Sequence, residues 1–103
     1  MLTGKQKRYL RSLGMTMKPL VTLGKNGVSD SFIKGVAAAI EARELIKVSL
    51  LPTAEITPKA LGEALAEALP GLEVAQTIGR TVLVYRRAFD PENRKITAEL
   101  AKQ

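Results

Sequence analysis

At 103 residues the chain fits one domain with one modest core. An apolar fraction of 46% beside 25% charged residues excludes a disordered tail. No run reaches the roughly eighteen consecutive apolar residues of a membrane helix, and cysteine and histidine are both absent. Disulfides, thiolate metal sites and the thiol nucleophile are thereby excluded, as are the commonest general base and metal ligand at neutral pH. Lys5, Lys7, Arg8 and Arg11 open the chain with no apolar run behind them, so no signal peptide is expected and a soluble cytoplasmic protein is.

The net charge of +6 is unevenly placed. Residues 1–28 carry Lys5, Lys7, Arg8, Arg11, Lys18 and Lys25 without one acid; residues 29–78 sum to −3 and residues 79–103 to +3. Basic ends around an acidic middle suggest a polyanion-binding face and a solvated opposite side.

In chain order, Thr3 and Gln6 have the spacing of a capping box and open a first helix that Gly14 closes near Leu13. Tyr9, Leu10 and Leu13 gather on one side at 100° per residue, and the four cations fan over the other. A solvated helix face normally mixes signs, so this one points to a partner. Pro19 sets the entry to a strand over Leu20 to Leu23. Gly24-Lys25-Asn26-Gly27 follows, then a helix with Ser29 as N-cap, Val28 and Ile33 as a hydrophobic staple, and Phe32, Ile33, Val36, Ala37 and Ile40 as its buried stripe to about Arg43.

Glu44 to Leu50 alternates, with Ile46, Val48 and Leu50 on one face and Lys47 and Ser49 on the other, which predicts a strand with one open face. Thr57-Pro58 starts a third helix with Leu61, Leu65, Ala68 and Leu69 inward, and Pro70-Gly71 stops it. Strands over Leu72 to Ile78 and Thr81 to Arg86 are joined by Gly79-Arg80, which suits a type II′ hairpin. The domain is set at residues 1–87. Residues 88–103 read as a basic, polar C-terminal tail in which Ile96, Leu100 and Ala101 could form a short helical turn. The order α-β-α-β-α-β-β predicts an α/β domain, a two-layer sandwich with a mixed four-stranded sheet whose last two strands are antiparallel.

Gly24 to Gly27 is the stretch with the most chemistry in it. Two glycines let the backbone approach a ligand closely, Lys25 lies between them, and a capped helix N-terminus follows, which together make an anion-binding arrangement. The pattern lacks the spacing and the Lys-Ser/Thr ending of a Walker A loop. Glu41, Glu63 and Glu67 lie on outward helix flanks, where acids usually solvate the fold, and a catalytic pair would need a cleft that perturbs at least one of them. With only Tyr9, Phe32, Tyr85 and Phe89 as aromatics there is no stacking platform, so phosphate, sugar and shape are the expected basis of recognition.

Five pieces in order and spacing carry a family resemblance: Leu2-Thr3-Gly4-Lys5-Gln6-Lys7, Lys18-Pro19-Leu20-Val21, Gly24-Lys25-Asn26-Gly27, Glu44-Leu45-Ile46-Lys47-Val48, and Ile78-Gly79-Arg80-Thr81-Val82-Leu83-Val84-Tyr85-Arg86. The chain resembles the CRM domain (chloroplast RNA splicing and ribosome maturation) in its stand-alone bacterial YhbY-type form. The resemblance implies a fold similar to the C-terminal domain of translation initiation factor three. It also implies RNA binding through the Gly-x-x-Gly loop, much as in KH domains, and association with precursors of the large ribosomal subunit. The expectation is a non-catalytic, monomeric RNA-binding protein without cofactor or metal. Gly24, Lys25, Asn26 and Gly27 would grip phosphate, and Lys5, Lys7, Arg8, Arg11 and Lys18 would extend the surface. Lys47, Arg80 and Arg86 are secondary candidates. The alternative is an adaptor that docks a ribosomal protein or assembly factor on the open sheet face around Lys47.

Overall fold

The structure is a computed structural model that describes residues 2–103. Helix α1 (Gly4–Gly14) starts at the expected capping box, with Thr3 Oγ1 accepting from the Gln6 N–H at 3.1 Å and Gln6 Oε1 accepting from the Thr3 N–H at 2.9 Å. Gly14 is its last residue, and its role differs from a left-handed cap. It is buried, and a Cβ there would lie 2.8 Å from Leu83 Cδ2. A side chain at this position would require the buried Leu83 to shift, so glycine suits the close crossing of the helix end over the sheet.

Strand β1 (Val21–Leu23) leads through the glycine loop to α2 (Asp30–Arg43), where Ser29 Oγ accepts from the Phe32 N–H at 3.1 Å. Strand β2 (Leu45–Leu50), α3 (Pro58–Ala68), β3 (Glu73–Ile78) and β4 (Thr81–Tyr85) follow. Thr57 caps α3 with proline at its first position, as the sequence predicts. Positive φ falls on Gly79 and not on Arg80, which is what a type II′ turn requires.

The sheet order is β1-β2-β4-β3, with β1 and β2 parallel and the other pairs antiparallel. The mixed four-stranded α/β architecture and the element order are as expected. Alternation then separates two apolar clusters. Ile46, Val48, Leu50, Val82 and Val84 pack with Val36, Ile40, Leu61 and Leu65 under α2 and α3. Leu45, Leu83 and Tyr85 pack on the opposite face with Leu2, Leu10 and Leu100. That second cover goes beyond the two layers read from the sequence, and part of the face expected to be open is closed by α1.

The segment after Arg87 also differs from a tail. A 3-10 turn (Pro91–Asn93) and α4 (Lys95–Leu100) fold back, and Ala88 and Leu100 are buried. Glu44 is the anchor. It has no exposed surface and a φ of 64°, and its carboxylate accepts from the N–H of Ala88 at 2.8 Å, the N–H of Thr97 at 2.9 Å, and the Thr97 hydroxyl. The Thr97 hydroxyl spends its one proton on Glu44, so the Tyr85 hydroxyl at 2.6 Å donates to it. Burial, the largest influence, pushes the Tyr85 phenol pKa above its ordinary value. Positive φ in a non-glycine residue costs on the order of 1–3 kcal/mol, and three hydrogen bonds over-determine it here.

Candidate nucleic-acid interface

Gly24 to Gly27 form a tight turn, closed by the Gly27 N–H donating to the Gly24 carbonyl at 3.2 Å. The Ser29 N–H then donates to the Gly27 carbonyl at 3.0 Å and fixes the approach to the N-cap. The two glycines have different reasons. Gly27 holds a φ of 70°, where a side chain is strained. Gly24 has no positive φ, and a Cβ there would meet only Leu51 Cδ1 at an ordinary 3.6 Å. Nothing inside the protein requires glycine at 24, whereas close approach of a ligand backbone would.

Lys25 and Asn26 are exposed at the tip. Among the described residues, no acceptor meets the N–H of Lys25, Asn26 or Val28, nor those of Asp30 and Ser31 in the first turn of α2. The Ser29 cap takes the Phe32 N–H, so the helix contributes two free donors and the turn contributes three. Unengaged N–H groups at a helix N-terminus next to a lysine are a chemistry suited to an anion.

Arg80 belongs to the same end of the sheet. Its Nε donates to the Leu50 carbonyl at 3.2 Å and its Nη2 to the Leu51 carbonyl at 2.8 Å. Leu51 in turn donates its N–H to Leu23 and lies beside Gly24. Leu51 therefore ties the sequence-predicted Arg80 to the glycine loop, across about sixty residues of chain, and holds the guanidinium at a fixed place.

The cations of α1 lie on the other face of the sheet, the one opposite α2 and α3. Lys5 and Arg8 are exposed, Lys7 and Arg11 half-buried, and Lys18 is exposed in the connector to β1. Among the described residues none of these five, nor Lys25, makes an ion pair.

Two of the secondary candidates are withdrawn from the surface. Arg86 is only 6% exposed, with its guanidinium 4.8 Å over the Phe89 ring and its Nε buried without a hydrogen-bond partner. It follows Val82 and Val84 at period two, so alternation turns it toward the α2 and α3 side rather than toward a polyanion. Lys47 is half-buried and donates through Nζ to the Gly14 carbonyl at 2.6 Å. A cation on the last carbonyls of α1 is a favourable partner for that helix end, and this engagement takes the Lys47 ammonium out of the sheet face on which the adaptor reading rested.

Sequence reasoning missed the carboxylates that fasten the C-terminal segment. Beside Glu44, Glu41 accepts from the Phe89 N–H at 2.8 Å and the Asp90 N–H at 3.0 Å. Those hydrogen bonds, Phe89 first, hold its pKa below the ordinary carboxylate value, with partial desolvation opposing.

The fold and this surface define a small α/β domain with an exposed glycine turn that carries Lys25. The family model of the CRS1 / YhbY (CRM) domain matches residues 2–86, and the chain belongs to that family. It is 46% identical over 96 residues to the Bacillus subtilis protein named "Probable RNA-binding protein YqeI", which covers 93% of this chain and 97% of that one. It is 32% identical over 85 residues to a Haemophilus influenzae protein named "RNA-binding protein", covering 82% and 85% of the two chains. The solution structure of a hypothetical protein from Staphylococcus aureus is similar with a TM-score of 0.73 and 43% identity, covering 88% of this chain and 94% of that one.

Proposed function

We propose that this protein is a non-catalytic RNA-binding protein that associates with precursors of the large ribosomal subunit in the cytoplasm. One observation carries the reading. The exposed turn at Gly24 to Gly27 presents unengaged N–H groups and Lys25, at a position where the protein's own packing does not demand glycine at 24. The names of the relatives support RNA as the polyanion, and the family resemblance supports the ribosomal setting.

In this reading phosphate sits in the turn, Lys25 and Arg80 neutralise it, and the α1 cations with Lys18 hold the flanking backbone. Binding is then dominated by counterion release and falls steeply with salt. Sedimentation of cell extract through a sucrose gradient tests the setting: the protein should travel with particles lighter than the mature large subunit. A protein found only at the top of the gradient, with wild-type particle profiles in a deletion strain, refutes the assembly role. Failure of the purified protein to bind large-subunit ribosomal RNA fragments refutes RNA binding itself.

A further inference from the structure

Strand β1 spans only three residues and pairs with Val48, Ser49 and Leu50. The first half of β2 therefore has no strand neighbour on that edge. The chain before β1 is tied to β2 by the Leu20 N–H donating to the Lys47 carbonyl at 2.9 Å. What remains is a cleft of about 730 Å³ between the α1–β1 connector, the end of α2 and the start of α4. Its walls include Leu13, Met17 and Ile96, and its rim carries Lys18, Arg43 and Lys95 against the single carboxylate of Glu92. The three cations are exposed and, among the described residues, make no ion pair.

An apolar slot with a few polar groups is the usual form of a small-ligand site, and this volume lies within the common range. The rim selects the ligand's charge. An anionic group attached to a flat, apolar body with hydrogen-bonding edges is a nucleotide. We propose that the cleft takes one unpaired nucleotide of the bound RNA, a site that rests on the RNA-binding reading above. The base enters between Met17 and Ile96, its phosphate meets Lys18, Arg43 and Lys95, and Glu92 is available to accept from an exocyclic amino group. Leu20 at the cleft and Gly24 at the phosphate turn are separated by about 13 Å of extended chain, so one RNA strand along the β1 edge reaches both. The cleft supplies the base contact that the scarcity of aromatic residues otherwise denies the protein.

The experiment compares two fluorescein-labelled RNA hairpins with the same stem, one fully paired and one with a single bulged cytidine, by fluorescence anisotropy. The wild type should bind the bulged hairpin about tenfold more tightly, the order of one base contact. Thr16→Trp, which fills the cleft from an exposed position, should abolish that preference and leave affinity for the paired hairpin unchanged. Lys25→Glu should weaken both hairpins and keep the preference. Cytidine monophosphate should also shift the methyl NMR signals of Met17 and Ile96, while inorganic phosphate should not. Equal wild-type affinity for the two hairpins, or a preference retained in Thr16→Trp, overturns the site. Methyl shifts with an acidic peptide but none with cytidine monophosphate reassign the cleft to a protein partner and overturn it too. If the wild type binds neither hairpin, the RNA-binding reading itself has failed.

Discussion

The two glycines of the turn make separable predictions, because one is there for the backbone and the other is not. Gly27→Ala forces a side chain into a φ of 70°, a conformation that costs an L residue roughly 1–2 kcal/mol. No atom lies within 4 Å of the new Cβ, so no packing change adds to or offsets that figure. For a chain of this size it corresponds to a fall in Tm of about 5–9 °C. Gly24→Ala makes an ordinary 3.6 Å contact with Leu51 and meets no positive-φ strain, so its stability should stay within about 0.5 kcal/mol of wild type. On the proposed reading a phosphate approaches the backbone at Gly24, so the added Cβ should lower RNA affinity. Thermal unfolding by circular dichroism and RNA titration by anisotropy separate the outcomes. A Gly24→Ala protein that binds RNA as the wild type does would refute the close-approach argument. One that loses more stability than Gly27→Ala would refute the conformational assignment.

Further predictions concern the C-terminal segment and the core. Glu44→Ala leaves the N–H groups of Ala88 and Thr97 without their acceptor and keeps a Cβ at a φ of 64°, so chemical unfolding should show a loss of about 2–4 kcal/mol with no relief of backbone strain. Glu41 is held below its ordinary pKa by the Phe89 and Asp90 N–H groups. Its stabilisation is therefore present above the unfolded-state pKa and is lost as pH falls through the lower folded-state value. Glu41→Gln should flatten the acid limb of the stability curve in that window and leave neutral-pH RNA binding unchanged. Gly62→Ala places a Cβ 2.8 Å from Val74 Cγ2, a stiff β-branched group, and should destabilise by about 1–3 kcal/mol on urea titration.

The elements set by local chemistry were legible in the sequence. Thr3 with Gln6, Ser29, and Thr57 with Pro58 each act within three residues of themselves, so spacing alone places them. The glycine turn was legible for the same reason, although only the backbone angles show that Gly27 and Gly24 differ. What stayed hidden depends on partners distant in sequence. Lys47 finds the Gly14 carbonyl 33 residues away, and Glu44 finds Ala88 and Thr97 at separations of 44 and 53. No periodicity reports such pairs. The C-terminal segment looked like a tail because it is polar and contains Pro91, yet hydrogen bonds to the carboxylates of Glu41 and Glu44 hold it in place, with Leu100 buried. Arg86 was legible and misweighed. Its step of two from Val82 and Val84 already turned it inward, and its basic character drew it onto the wrong surface.

The central claim is that Lys25 and the turn around it hold phosphate. The most direct test is the salt dependence of binding to a large-subunit ribosomal RNA fragment, measured for wild type and Lys25→Glu between low and moderate ionic strength. Loss of one phosphate contact should weaken binding and reduce the slope of log K against log salt by about 0.7–0.9. Unchanged affinity and an unchanged slope would place the phosphate grip elsewhere and contradict the account.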